Sequence, residues 1–281
     1  MINIIFFFLL LLVPHREHYV EKLKNSTINW IKIPAGKFIY NSSNDTCIIE
    51  YDYYISDSEI TNNQYLLYLN NALSQKKIKI RGNAVIGFFS GDSVWQKDYY
   101  PLMYFNANDG YIDIFSFNGH KFLIINDSLY GNHPVRFVTW FGAYNYAKFY
   151  GYRLPTNEEW EKAARGLTNR IYPWGDSLTG NYTNYFKSGD PFDNGTTPIK
   201  YFDGKNKNDF QTKNNSSIYG VYDIVGNVSE WTNSYSKFYP KYKIYRGGSW
   251  FNKKEDLINY LTGEGGLTLA TEHIGFRCIK K

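Results

Sequence analysis

The chain has 281 residues, 43% of them hydrophobic and 20% charged, an ordinary globular balance that excludes wholesale disorder. Its net charge of +5 is modest, and Lys and Arg form no stripe interleaved with aromatics, so nucleic acid is not expected as a partner. Aromatic residues reach 19%, with 27 Tyr and 7 Trp; they either fill a loop-rich core or stand at the surface as rigid contacts for a protein, peptide or sugar.

Ile2 to Val13 is an almost unbroken apolar run, too short to cross a bilayer comfortably and suited to a secretion signal. Residues 1–26 therefore read as signal peptide and linker, and the protein as exported to a periplasm, the medium or a cell surface. No Lys or Arg precedes the run, and Pro14-His15-Arg16 stands where a small-residue cleavage site belongs. An uncleaved anchor is the other reading, and it is the only membrane contact expected. His15, His18, Glu17 and Glu21 lack further nearby ligands for a metal shell.

Residues 27–281 read as one domain, because the strongest motifs spread over the whole second half of the chain. Trp30 to Tyr40 alternates like a strand on each side of Pro34-Ala-Gly36. From Thr61 to Leu73 the pattern turns helical, with Thr61 and Gln64 spaced as a capping box and Leu66, Leu69 and Leu73 on one face. Residues 76–131 read as an insertion, with a hairpin turning at Asn118-Gly119, that covers one end of the domain or, as the other reading, contacts a partner. A second helix is expected near Thr139 to Tyr150, stopped by Gly151. Thr156 caps a third, where Glu159 completes a capping box and Trp160, Ala163 and Ala164 face inward. Glu158, Glu159 and Glu161 are placed for the helix dipole and the cap rather than for acid–base chemistry.

The stretch from residue 176 to 217 is rich in Asn, Gly, Asp and Thr, a length that needs an ion or ligand to order it inside a compact domain. Tyr219-Gly-Val-Tyr-Asp-Ile-Val-Gly-Asn-Val-Ser-Glu-Trp231 follows neither a helical nor a strand period. Asp223 and Glu230 offer carboxylate oxygens there, and the backbone at Gly226 and Val228 can turn carbonyls inward, the mixed oxygen set that calcium prefers. Two surface acids on a solvated loop are the plainer alternative.

Five motifs occur in one order: Arg153-Leu-Pro-Thr-Asn-Glu-Glu-Trp-Glu-Lys-Ala-Ala-Arg-Gly166, Tyr172-Pro-Trp-Gly-Asp176, the loop ending at Trp231, Arg246-Gly-Gly-Ser-Trp250 and Gly275-Phe-Arg-Cys278. Together they closely resemble the formylglycine-generating enzyme family, or sulfatase-modifying factor domain, over roughly residues 30 to 281. The resemblance implies an α+β fold, an irregular, loop-rich, calcium-binding variant of the C-type lectin fold. It also implies structural calcium at Asp223, Gly226, Val228 and Glu230, and a second calcium at Asn184, Tyr185, Asp190 and Phe192.

Oxidising members of this family carry two copper-binding cysteines after the Gly-Gly-Ser turn, since reduced copper needs soft thiolates. Asn252 and Leu257 occupy the matching positions, so copper is not expected. Ser249 matches a family active-site serine but suits ordinary turn chemistry, and His273 stands where oxidase members carry a substrate-contacting asparagine. These two are the weak catalytic candidates. An iron site drawn from His120, His133 and His273 lacks facial-triad spacing. Cys278 resembles a family cysteine whose partner position is here Ala147, leaving a Cys47–Cys278 disulfide open. The expected function is thus an exported, calcium-stabilised binding or structural module for a protein, peptide or carbohydrate. The competing function is an oxidoreductase that makes formylglycine in sulfatases, or a related non-haem-iron oxidation.

Overall fold

The computed structural model describes residues 27–42, 45–105, 112–117, 120–125, 128–192 and 194–281. The N-terminal apolar run and the Asn118-Gly119 turn lie outside them. The fold mixes few helices with many strands, and among the described residues no helix is long and apolar enough to cross a membrane.

Among the described residues, each α-helix begins at a threonine cap that satisfies a backbone N–H left over at the helix start. Helix α1 (Asn62–Ser74) has the full capping box, with Gln64 N donating to Thr61 Oγ1 and Thr61 N donating to Gln64 Oε1. Helix α2 (Trp140–Phe149) starts from Thr139, whose Oγ1 accepts from Gly142 N at 3.0 Å. The second full box opens α3 (Asn157–Arg165), between Thr156 and Glu159.

The first four strands are β1 (Trp30–Ile33), β2 (Gly36–Tyr40), β3 (Asp45–Ile49) and β4 (Tyr53–Ser56). Although β1 and β2 flank one turn, they do not pair with each other: β2 pairs with β3, and β1 pairs with β4. Next come β5 (Ile78–Arg81), β6 (Ala84–Phe89) and β7 (Asp98–Tyr104), one antiparallel sheet, and the hairpin of β8 (Ile112–Phe117) and β9 (His120–Ile125). A two-residue pair, β10 (Asn206–Lys207) and β11 (Phe210–Gln211), sits in the Asn-rich stretch. The remaining strands are β12 (Ser229–Tyr235), β13 (Tyr242–Arg246), β14 (Thr262–Gly266), β15 (Ile274–Gly275) and β16 (Ile279–Lys280). They supply a four-stranded sheet of order β14-β13-β12-β15, while β16 crosses back to β4. First and last strands thereby share one sheet.

Two apolar clusters form the core. One surrounds α1 and α2 and includes Tyr65, Leu69, Trp140, Phe141, Trp231 and Phe276. The other surrounds α3 and the first strands, with Tyr53, Ile55, Trp160, Val225 and Leu257. From residues 76–131, Ile78, Val85, Phe89, Leu102, Met103, Ile112 and Leu123 belong to the first cluster. Gly142 shows how close the contact is: a Cβ there would stand 2.0 Å from Leu102 O, a distance no side chain tolerates.

Both cysteines are free. Cys278 is fully buried in the first cluster, which also holds Ala147, whereas Cys47 packs on the edge of the second. The disulfide left open by the sequence is not formed.

Candidate functional site

Three loops meet at one place. Gly226, at φ +83° in the central loop, has room only for hydrogen, because a Cβ would come within 2.3 Å of Thr183 Oγ1 and 2.5 Å of Asn184 O. Asn227 N donates to Asn184 O at 3.0 Å, Gly226 N to Gly247 O at 3.0 Å, and Trp250 N to Asn227 O at 2.9 Å. Phe186 N donates to Asn252 O at 2.9 Å. Both predicted calcium loops and the Gly247-Gly-Ser249 turn are thus stitched together by backbone hydrogen bonds.

Within the central loop, Asp223 and Glu230 are buried but differently engaged. Glu230 lies on β12, whose alternation sends Trp231 into the first core cluster and turns Glu230 toward α3. Its Oε2 accepts from Arg277 Nε at 2.6 Å and from Trp160 Nε1 at 2.7 Å, and its Oε1 accepts from Arg277 Nη2 at 2.7 Å. Asp223 Oδ1 accepts from Asn215 Nδ2 at 2.9 Å, and Oδ2 from Lys200 N at 2.5 Å. Close by, Glu59 Oε1 accepts from Asn227 Nδ2 at 3.0 Å, while its Oε2 is buried with no hydrogen-bond partner. Burial raises the carboxyl pKa of all three acids. The rise is large at Glu59, which also feels the charges of Asp223 and Glu230. In this arrangement Glu230 already has a cation, Arg277, and an unmet acceptor is brought to the central loop from outside it, by Glu59.

The Asn184 loop has a different balance. Asn184 Nδ2 donates to Gly195 O at 2.7 Å, which leaves its Oδ1 buried and without a hydrogen-bond partner. Asp190 Oδ1 accepts from Phe192 N at 2.7 Å and Oδ2 from Ser188 Oγ at 2.6 Å. The carbonyls of Tyr185 and Phe192 accept turn hydrogen bonds from Ser188 N and Gly195 N. An unpartnered amide oxygen, a carboxylate and carbonyls supplied by one loop are the oxygen types that calcium takes. No group of three or more His, Cys, Asp or Glu side chains is placed to hold a metal among the described residues, so any cation site here leans on backbone and amide oxygens.

The copper positions are filled by other chemistry. Leu257 is fully buried in the second core cluster. Asn252 Oδ1 accepts from Ser249 N at 3.0 Å and from Ser249 Oγ at 2.8 Å. A hydrocarbon and a committed amide oxygen do not fit reduced copper. Ser249 is fully buried, and its Oγ also accepts from Phe251 N at 3.3 Å, so it builds the turn. His273 stacks on Phe251 at 5.5 Å and 14°, and its Nδ1 is buried with no hydrogen-bond partner. Burial lowers its pKa. No serine–histidine hydrogen bond joins the two weak catalytic candidates. His133 Nδ1 lies 2.9 Å from Thr196 Oγ1, and the His120 side chain lies outside the described residues. A cavity of about 240 Å³ opens beside the turn, lined by Arg246, Asn252, Asp256, Thr262 and His273 among others.

Sequence reasoning missed the ion pairs that hold this region. Glu161, fully buried, accepts from Arg165 Nη1 at 2.8 Å and, 85 residues along the chain, from Arg246 Nη2 at 2.6 Å. The Arg153–Glu159 pair at 2.6 Å locks the start of the same helix. Only the i,i+4 spacing of Glu161 and Arg165 is a local signal.

The chain matches the family described as sulfatase-modifying factor enzyme 1-like domain over residues 16–281. It is similar to "Inactive C-alpha-formylglycine-generating enzyme 2" of Bos taurus, 40% identical over 159 residues, a match covering 52% of this chain and 49% of that protein. To "Formylglycine-generating enzyme" of Mus musculus it is 32% identical over 175 residues, covering 52% and 44%. The matches thus span about half the length of these curated relatives. Among solved structures, CarF superposes with a TM-score of 0.58 at 20% identity, covering 90% of this chain and 98% of that one, a likeness of fold.

Proposed function

Because the chain belongs to the sulfatase-modifying factor enzyme 1-like domain family, we propose that it is an exported binding or structural module on that scaffold, stabilised by calcium and without copper-dependent oxidase activity. The observation that carries this reading is the pair Asn252 and Leu257: one caps the Ser249 turn and the other is core, so neither position supplies a soft ligand. The relative from Bos taurus whose name begins "Inactive" supports it. Function rests on such sites and not on the fold.

Calcium fits the Asn184 loop, where Asn184, Asp190 and the carbonyls of Tyr185 and Phe192 would hold it. In the central loop the carbonyls of Gly226 and Val228 and the acid Asp223 would meet Glu59 more readily than Glu230, which Arg277 occupies. Calcium there would order the loops of a variant of the C-type lectin fold and take no part in chemistry. The cavity beside the Gly-Gly-Ser turn, with polar and charged groups around His273 and Phe251, suits a peptide or carbohydrate ligand.

The deciding assay incubates calcium-loaded protein, with copper or iron and oxygen, with a peptide carrying Cys-x-Pro-x-Arg, and measures aldehyde. The expected result is none above a no-enzyme control. Aldehyde that Ser249→Ala abolishes would restore the oxidoreductase reading.

A further inference from the structure

The turn between β12 and β13 carries an aromatic tip that the scaffold does not need. Phe238 is 83% exposed, Tyr239 58% and Tyr242 42%. Lys237 and Lys241 beside them are exposed as well, and neither makes an ion pair among the described residues. From Asn233 to Arg246 the sequence contains no Asp or Glu.

The tip is also built rather than slack. Ser236 Oγ accepts from Phe238 N at 3.0 Å and Tyr239 N at 2.9 Å, while Ser236 N donates to Tyr242 O at 2.9 Å. Tyr242 N donates to Tyr239 O at 2.8 Å, and the two tyrosine rings lie 5.3 Å apart. Holding a phenylalanine outward on an ordered turn sacrifices apolar burial, which a chain of this aromatic content could otherwise use inside.

We propose that this tip docks on an anionic phospholipid surface, with Phe238 and Tyr239 at the headgroup boundary and Lys237 and Lys241 on the phosphates. One feature favours a lipid surface over a protein partner: aromatic rings flanked by Lys237 and Lys241, with no Asp or Glu from Asn233 to Arg246, match the depth profile of a bilayer interface, where aromatic rings sit among headgroups and lysine stems reach back to the phosphates. Glu264, across from Ile244 on β14, is the acid on the neighbouring strand and lies inboard of the tip. None of the tip residues lines the cavity at His273.

Co-sedimentation of the full chain with phosphatidylcholine vesicles, with and without phosphatidylglycerol, tests the proposal. Every variant keeps the N-terminal run, so its contribution is common to all. Phe238→Ser/Tyr239→Ser is expected to weaken binding to anionic vesicles by about tenfold or more, and Lys237→Ser/Lys241→Ser to remove the preference for anionic lipid. In Phe238→Trp, fluorescence quenching by brominated lipid should increase over that of the unaltered chain in anionic vesicles only. Equal binding to neutral and anionic vesicles, unaltered binding by the double variants, or association with a soluble polyanion such as heparin but with no vesicle, overturns it. An unchanged melting temperature in the double variants establishes that the tip, and not the fold, was altered.

Discussion

Arg277 grips Glu230 with two hydrogen bonds, 2.6 Å from Nε to Oε2 and 2.7 Å from Nη2 to Oε1, and neither side chain is more than 1% exposed. The pair joins the C-terminal segment to the central loop 47 residues earlier. Arg277 also donates to the carbonyls of Ser56 and Tyr222, so one guanidinium ties β4, the central loop and β12 together. With Asp223 and Glu59 buried nearby, it is the positive charge that makes this acid cluster tolerable.

Arg277→Met is therefore expected to cost about 3–5 kcal/mol, because it strands a buried carboxylate. Glu230→Gln combined with Arg277→Met should recover much of that loss, since both charges leave together. Denaturant unfolding of the two single variants and the double variant measures the coupling. A double variant as unstable as the sum of the singles would show that the pair does not act as a unit.

Calcium should raise thermal stability by mass action, by about 2.7 kcal/mol at a hundredfold excess over the dissociation constant. Asn184→Ala removes the orphaned Oδ1 and should shrink the calcium-dependent shift; it also removes the Nδ2 hydrogen bond to Gly195 O, so some loss of stability in chelator is expected too, and the difference between calcium and chelator is the readout. Thermal unfolding with calcium and with chelator checks this. Identical melting temperatures for the unaltered protein in both would eliminate calcium as a stabiliser.

Burial lowers the pKa of His133 from 6.5 to about 4. The unfolded chain thus binds a proton in a range where the folded protein does not, and the neutral ring's contribution is complete above about pH 6.5 and lost as pH falls toward 4. The loss attributable to this residue is at most about 3 kcal/mol. Stability measured from pH 7 to pH 4 should decline less steeply in His133→Gln than in the unaltered protein.

Leu257→Ala should cost about 2–5 kcal/mol, the ordinary penalty for truncating a fully buried leucine. Chemical denaturation gives the number. A loss under about 1 kcal/mol would mean that this position is not the core residue its burial implies.

Much of this protein is local and could be read from the chain. Thr61 with Gln64, and Thr156 with Glu159, cap helices because each pair lies three residues apart, and the backbone groups they satisfy belong to the same turn. The ordered motifs also carried the family, and the residues at 252 and 257 carried the loss of thiolate ligands. Partner choice was not local. Nothing near Glu230 in sequence says that its cation is Arg277 rather than a bound metal, and nothing near Glu161 points to Arg246, 85 residues away. Both faces of β12 are covered from Ser229 to Thr232, which puts Glu230 inside, but a buried carboxylate takes whichever cation the packed elements bring to it. Only the assembly of β12 against α3 and the C-terminal segment decided that, because in a low-dielectric interior the nearest well-oriented donor dominates the charge balance.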